Sequence, residues 1–269
     1  LSRTSSAMVR TMSPEKNSNR TAETAGAKTH FGYQDVDIAA KTAMVRDVFD
    51  SVAPRYDLMN DLMSGGIHRL WKRALIKRIN PQAAMKLLDV GGGTGDIAFK
   101  FLEKGGEDVV ICDINEEMLK VGRDRALDRA IIEGPKWVRG NAEQLPLEDS
   151  SIDTYVTAFC LRNVTHLARA LEEARRVLRP GGHFLCLEFS QVILPTLAKL
   201  YDSYSFNVLP MIGQLVANDR ESYQYLAESI RRFPSQDEFT TMIAAAGLDQ
   251  GSHQNLSGGI AAIHSAWRI

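Results

Sequence analysis

Cysteine is scarce in this chain. Its 269 residues hold three, Cys112, Cys160 and Cys186. They are odd in number, widely spaced and never C-x-x-C, which excludes a disulfide framework and a zinc site and fits a reducing compartment. Long hydrophobic runs are also missing. Nothing approaches the ~18–20 apolar residues of a membrane span. Neither sign of charge is in excess, with 32 Lys and Arg against 33 Asp and Glu, so nucleic acid is not an expected partner. The remaining composition, 44% hydrophobic and 24% charged, suits one α/β domain with a tail.

The dinucleotide spacing G-x-G-x-x-G is absent too, although glycines cluster between Lys86 and Asp96, K-L-L-D-V-G-G-G-T-G-D. An apolar run ending in glycines reads as a buried strand feeding a tight turn. Ile97 to Leu102 suits the helix that follows. Glycine lets the backbone take positive φ and approach a ligand, and the new helix offers free N–H groups. Asp89, Gly91, Gly93, Thr94 and Gly95 are therefore candidate cofactor contacts. Asp96 stands where a pyrophosphate would lie, and that repulsion argues against NAD. S-adenosylmethionine has no phosphate and carries a sulfonium and an ammonium. The bland alternative is a plain strand-to-helix turn. Asp113 weighs against it: with Ile114 beside it, it ends a second buried strand, where a carboxylate can accept both ribose hydroxyls.

Residues 1–28 are rich in Ser, Thr, Ala, Arg and Asn and read as a disordered tail, with a presequence as the alternative. Helical spacing runs from Ile38 to Ser51. V-A-P-R-Y-D-L-M-N-D-L-M, residues 52 to 63, reads as a lid over the cofactor, within a helical lid spanning about 30–80. Ile67 to Ile79 reads as a basic amphipathic helix, with Ile67, Leu70, Trp71, Ala74, Leu75, Arg78 and Ile79 near the inward face and His68, Arg69, Lys72, Arg73 and Lys77 mostly outward. Its outer face suits either solvent or anionic headgroups.

Asn115 caps a helix to Arg129. Lys136 to Arg139 is a third strand, after which Asn141 and the Ala142 backbone can reach an adenine edge. Ile152 to Ala158 is a fourth strand, ending in F-C-L-R-N-V-T-H. Leu167 to Leu178 is a helix and His183 to Phe189 a fifth strand. Pro195 to Asp219 mixes aromatics, aliphatics and prolines, and reads as core or as the wall of a greasy pocket. Helices over Ser222–Arg232 and Ser235–Ala246, the latter with a Ser235–Glu238 capping box, lead to a last strand, Ile260–Ile269. The β-α-β-α order implies a parallel sheet with helices on both faces and a ligand where strand order reverses.

D-V-G-G-G-T-G-D, C-D-I-N, V-L-R-P-G-G and L-E-F-S resemble class I S-adenosylmethionine-dependent methyltransferases. Y-D-L-M-N-D-L-M-S-G-G-I-H-R-L-W-K, L-R-N-V-T, Y-D-S-Y-S-F-N-V-L-P and S-Y-Q-Y-L-A-E-S-I are similar to the ubiquinone/menaquinone biosynthesis C-methyltransferases, over about residues 29–269. The resemblance implies a Rossmann-like three-layer sandwich around a seven-stranded, mostly parallel sheet with an antiparallel last strand, and a substrate-cap insert over about 192–232. It implies methyl transfer to a ring carbon of a 2-methoxy-6-polyprenyl-1,4-benzoquinol, with demethylmenaquinol as a sister substrate. Family cofactor contacts fall on Thr94, Asp113, Asn141, Ala142 and Ala158. Many relatives carry Ala at the position of Gly91 or Gly92 and Asp at that of Asn141.

The implied reaction needs a quinolate, and free phenols have a pKa near ~10. Arg162 is assigned to stabilise the phenolate or relay a proton through water, Asn163 to orient the quinol oxygen, and Tyr56 and His166 to relay protons. Expected partners are a polyprenyl quinol, a membrane surface, a quinone-biosynthesis complex and a second copy of the chain. The expected compartment is a bacterial cytoplasm at the inner membrane, or else the mitochondrial matrix. The rival readings are a methyltransferase for another small phenol, a non-catalytic cofactor-binding subunit, and a nicotinamide dehydrogenase.

Overall fold

The computed structural model describes residues 28–52, 60–61, 64–131, 133–193, 195–208, 210–211, 214 and 220–269. It opens on a hairpin that the sequence reading missed, β1 (Lys28–Phe31) and β2 (Gln34–Asp37). The signal was present: Gly32 has φ +56°, and Gly-X between two short runs is a hairpin turn. Lys28, read as tail, is the first residue of this hairpin. The rest of the tail reading lies outside the described residues, as do Tyr56 and most of the 52–63 segment.

Helix α1 (Ile38–Val52) precedes α2 (His68–Ile79). The central unit follows as β3 (Lys86–Val90), α3 (Asp96–Glu103), β4 (Asp108–Asp113), α4 (Glu116–Asp128), β5 (Pro135–Arg139), β6 (Ile152–Ala158), α5 (Leu167–Val177) and β7 (Leu178–Phe189). After it come α6 (Pro195–Ser203), a π-helical stretch (Tyr204–Val208), α7 (Arg220–Arg232), α8 (Gln236–Ala245), β8 (Asp249–Leu256) and β9 (Ala261–Arg268). Local chemistry explains several boundaries. The Asn115 side chain accepts from Met118 N–H at 3.0 Å and starts α4. Ser235 and Glu238 form the expected capping box on α8.

The seven-stranded sheet runs β5-β4-β3-β6-β7-β9-β8. Pairings are parallel up to β7, and β9 is antiparallel to both its neighbours. Strand order reverses between β3 and β6, so a crevice opens beyond their carboxyl ends. Alternate side chains build two cores. Leu87, Ile111, Val156 and Leu187 face α1, α2, α3 and α7. Leu88, Cys112, Tyr155 and Cys186 face α5 and α8.

Helix α2 departs from the amphipathic reading. His68 and Lys72, placed outward from the sequence, are buried, whereas Ile67, Leu70 and Arg78, placed inward, are exposed. Packing beside α3 and β7 turns the helix so that Trp71 meets Phe159 and Phe189. Lys72 then reaches Asp96 at 2.7 Å. A buried ammonium is tolerable only with such a partner, and the periodicity of one helix does not show a partner on another.

Candidate active site

Two pockets meet at Gly91. The larger is an open cleft of about 820 Å³ with its mouth counted. Gly91, Asp113, Ile114, Asn141, Ala142 and Asn163 all line it. So do Thr42, Val45, Arg46 and Phe49 of α1, which were not among the sequence candidates. The smaller holds about 300 Å³ and is lined by Lys72, Asp89, Gly91, Gly92, Thr94, Asp96, Ile97 and Ala158.

The glycine loop is built for close approach. Gly91 N–H donates to Cys112 C=O at 2.8 Å, and Gly93 N–H donates to Asp113 Oδ2 at 2.9 Å. Asp113 Oδ1 takes Asn115 N–H at 2.9 Å, which fixes the carboxylate at the end of β4. Gly93 and Gly95 line neither pocket. Gly95, in left-handed backbone, is the N-cap residue of α3, and a Cβ there would sit 2.9 Å from the Phe99 ring. Both glycines shape the loop. Asn141 Oδ1 accepts from Glu143 N–H at 2.9 Å, and Thr94 Oγ1 accepts from Arg125 at 3.2 Å.

Gly91 faces Cys160. A Cβ at Gly91, where φ is +66°, would lie 2.2 Å from Cys160 Sγ, so the thiol occupies the volume an alanine methyl would need. Gly91→Ala alone should therefore destabilise the fold by about 1–3 kcal/mol, as overpacking does. Gly91→Ala with Cys160→Gly should regain most of that in a thermal unfolding scan, less the roughly 1 kcal/mol of left-handed strain. A double variant no more stable than the single would refute the pairing.

Charge is unevenly distributed around the small pocket. Burial pushes the Asp89 carboxyl up to about 7, and Asp96 adds to the effect. Asp89 takes the Ala98 N–H, but its Oδ2 has no hydrogen-bond partner among the described residues. Burial pushes Asp113 up to about 6 against the pull of three backbone N–H groups. Burial alone would also raise Asp96, but Lys72 and Lys100 outweigh it and hold the carboxyl well below the ordinary range. The sequence argument that took Asp96 as a bare charge repelling pyrophosphate therefore fails: two ammonium groups cancel it. Burial pushes the Cys112 thiol up to about 12 and the Cys160 thiol up as well, so neither cleft cysteine offers a thiolate near neutral pH.

The turn after β6 carries Arg162 and Asn163 in a short 3₁₀ segment, Leu161–Asn163. Asn163 is on the cleft wall. Its Oδ1 accepts from Tyr225 O–H at 3.0 Å, so the amide N–H donors are what remain for a ligand. Tyr225 in turn stacks on Phe31 of the hairpin, ring centroids 4.0 Å apart. Arg162 lies behind that wall. Its Nη1 meets Glu188 Oε1 at 2.8 Å and Phe159 C=O at 2.6 Å, and both side chains of the ion pair are 1% exposed. Phe159 has φ +60°, a costly backbone for a bulky residue that persists only where its surroundings fix it. His166, the relay candidate, is the N-cap residue of α5, and its N–H goes to Glu143 at 3.0 Å.

This geometry has relatives. Residues 37–268 match the model of the ubiE/COQ5 methyltransferase family. The chain is 53% identical to the ubiquinone/menaquinone biosynthesis C-methyltransferase of Dinoroseobacter shibae, over 92% of this chain and 99% of that protein. It is 49% identical to the mitochondrial 2-methoxy-6-polyprenyl-1,4-benzoquinol methylase of Rattus norvegicus, over 92% and 86%. Among solved structures, an S-adenosylmethionine-dependent methyltransferase from Thermotoga maritima matches with a TM-score of 0.59 at 18% identity, covering 83% of this chain and 99% of that one. At that identity the likeness speaks for the fold alone.

The residues present fit S-adenosylmethionine. A cleft with a carboxylate suits a ribose, and the adjoining pocket holds a buried carboxylate oxygen without a partner among the described residues, which suits an ammonium. The family match and the identity of about half over most of both chains settle it: the chain is an S-adenosylmethionine-dependent methyltransferase and belongs to the ubiE/COQ5 methyltransferase family.

Proposed function

We propose that this enzyme methylates a ring carbon of a polyprenylated 2-methoxy-1,4-benzoquinol, with demethylmenaquinol as a second acceptor. The observation that carries this reading is identity of about half, over most of both chains, with proteins named for those reactions. The adenosine lies in the larger pocket, with Asp113 on the ribose and Asn141, Ala142 and Ile114 around the base. The methionine end lies between Asp89, Thr94 and Ala158, and its ammonium goes to Asp89 Oδ2. The bound cofactor supplies an electrophilic methyl group, and the protein supplies alignment.

Asn163, with its carbonyl taken by Tyr225, donates to the quinol oxygen and stabilises the developing quinolate. Arg162 holds the turn that presents Asn163, in place of touching the quinol itself. Helix α1 serves as part of the lid, since its Thr42, Val45, Arg46 and Phe49 wall the cleft. The direct test supplies labelled cofactor with a short-chain methoxy-benzoquinol, a demethylmenaquinol analogue and a soluble phenol. Label should enter the quinols and not the phenol. Equal labelling of the phenol would refute the substrate assignment.

The reading includes peripheral membrane contact, because a polyprenyl acceptor resides in a bilayer. No helix among the described residues is long and apolar enough to cross one. Exposed Ile67 and Leu70 flank exposed Arg69 and Arg73 on α2, a pattern that suits an anionic surface. Arg69→Glu with Arg73→Glu should reduce co-sedimentation with anionic vesicles several-fold. Unchanged sedimentation would remove α2 from the contact. Lys72 is unsuited to that test, because it is buried on Asp96.

A further inference from the structure

Lys72 is out of balance with its surroundings. Asp96 carries one negative charge and faces two ammonium groups, Lys72 at 2.7 Å and Lys100 one helical turn along. Lys100 alone would neutralise it. The Lys72 side chain is nonetheless 5% exposed, against 28% for Lys100. Removing an ammonium from water is costly unless its charge is used. Its one described acceptor is Asp96, which leaves two of its three N–H groups. Lys72 lines the small pocket together with Thr94, Asp89 and Ala158, and Lys100 does not.

A pocket with an ammonium on one wall and, on another, a carboxylate oxygen that has no partner among the described residues is complementary to a zwitterion. We propose that Lys72 binds the α-carboxylate of the methyl donor, opposite Asp89 at the ammonium, so that a helix outside the glycine loop selects the amino-acid end of the cofactor. Asp96 sets the place of the Lys72 ammonium and does not touch the cofactor. The inference rests on the placement of the methionine end proposed above.

Binding, without turnover, tests it. Titration calorimetry compares S-adenosylmethionine with decarboxylated S-adenosylmethionine, which keeps the ammonium, sulfonium and adenosine and lacks only the carboxylate. Wild-type protein should prefer the intact cofactor by about 10- to 100-fold, as befits one charge-assisted hydrogen-bonded contact. Lys72→Gln should bind both within about threefold of each other, by losing affinity for the intact form alone. Its retained affinity for the decarboxylated form reports that the site is folded. If the single change unfolds the protein by stranding charge, Lys72→Gln with Asp96→Asn removes the pair together and is read the same way. A wild-type enzyme indifferent to the carboxylate, or a variant that keeps the preference, overturns the proposal. If wild type binds neither molecule, the placement of the cofactor fails and the proposal fails with it.

Discussion

Arg162→Ala or Glu188→Ala should each cost about 3–5 kcal/mol of folding stability, because either leaves its partner as an uncompensated charge in the core. A domain with roughly 5–15 kcal/mol in all would lose much of its margin, and denaturant midpoints should fall accordingly. The cause is the depth of the pair, 1% exposed on both sides at 2.8 Å. Replacing both residues by apolar ones, Arg162→Met with Glu188→Leu, should restore most of the stability, since a buried pair gains little over good apolar packing. That double variant also separates two roles. If Arg162 only positions the turn, restored packing should bring back cofactor affinity and measurable turnover. Full stability with no turnover would show that the guanidinium acts on the quinol directly.

Asp89→Asn should do the opposite to stability. In the fold the Asp89 carboxyl titrates at about 7, against an ordinary value near ~4. Between those values the folded protein holds a proton that the unfolded chain has released, so stability falls as pH rises through that window. Above it the charge costs on the order of 2–4 kcal/mol. Asparagine carries no such charge. The variant should therefore be more stable than wild type at pH 8 and nearly equal to it near pH 4, as read by urea unfolding at both. Equal destabilisation at both values would refute the assignment. Cofactor affinity should move the other way, falling about 10- to 100-fold with the lost ammonium contact. In wild type, binding should weaken as pH drops below 7, because the proton must leave before the ammonium can pair. On the proposed placement of the cofactor, Asp89 is a residue at which stability is sacrificed to binding.

Much of the fold was legible because its signals are local. The Asn115 cap and the Ser235–Glu238 box lie within three residues of their partners, and β3, β4 and the second half of β7 are apolar runs, although β7 starts at Leu178 and takes in the R-P-G-G stretch before the expected start at His183. Strand β8, D-Q-G-S-H-Q-N-L, was not legible: it is a mostly exposed edge strand without apolar alternation. The larger pocket was legible from the glycine loop, Asp113 and Asn141. The Lys72–Asp96 and Arg162–Glu188 pairs were not, since each joins residues on different elements. Arg162 and Glu188 stand 26 residues apart, and spacing in the chain carries no sign of their contact. The likeness of L-R-N-V-T to its family marked the segment without saying which of its residues faces the ligand.

The place of β9 has a consequence for how the chain reaches this state. It follows every other strand in sequence, yet it lies inside the sheet, hydrogen-bonded to β7 and β8 at once. Arg268 then ties it to the Ser150 hydroxyl and to the carbonyls of Arg175, Arg176 and Leu178. During synthesis the glycine loop, Asp89 and Asp113 precede it by more than a hundred residues. Until residues 261–268 emerge, β7 presents an unpaired apolar edge, the kind that invites pairing between molecules. A chain stopped short of β9 would carry the glycine loop, Asp89 and Asp113 on a sheet whose β7 edge is bare, and its fate should be aggregation.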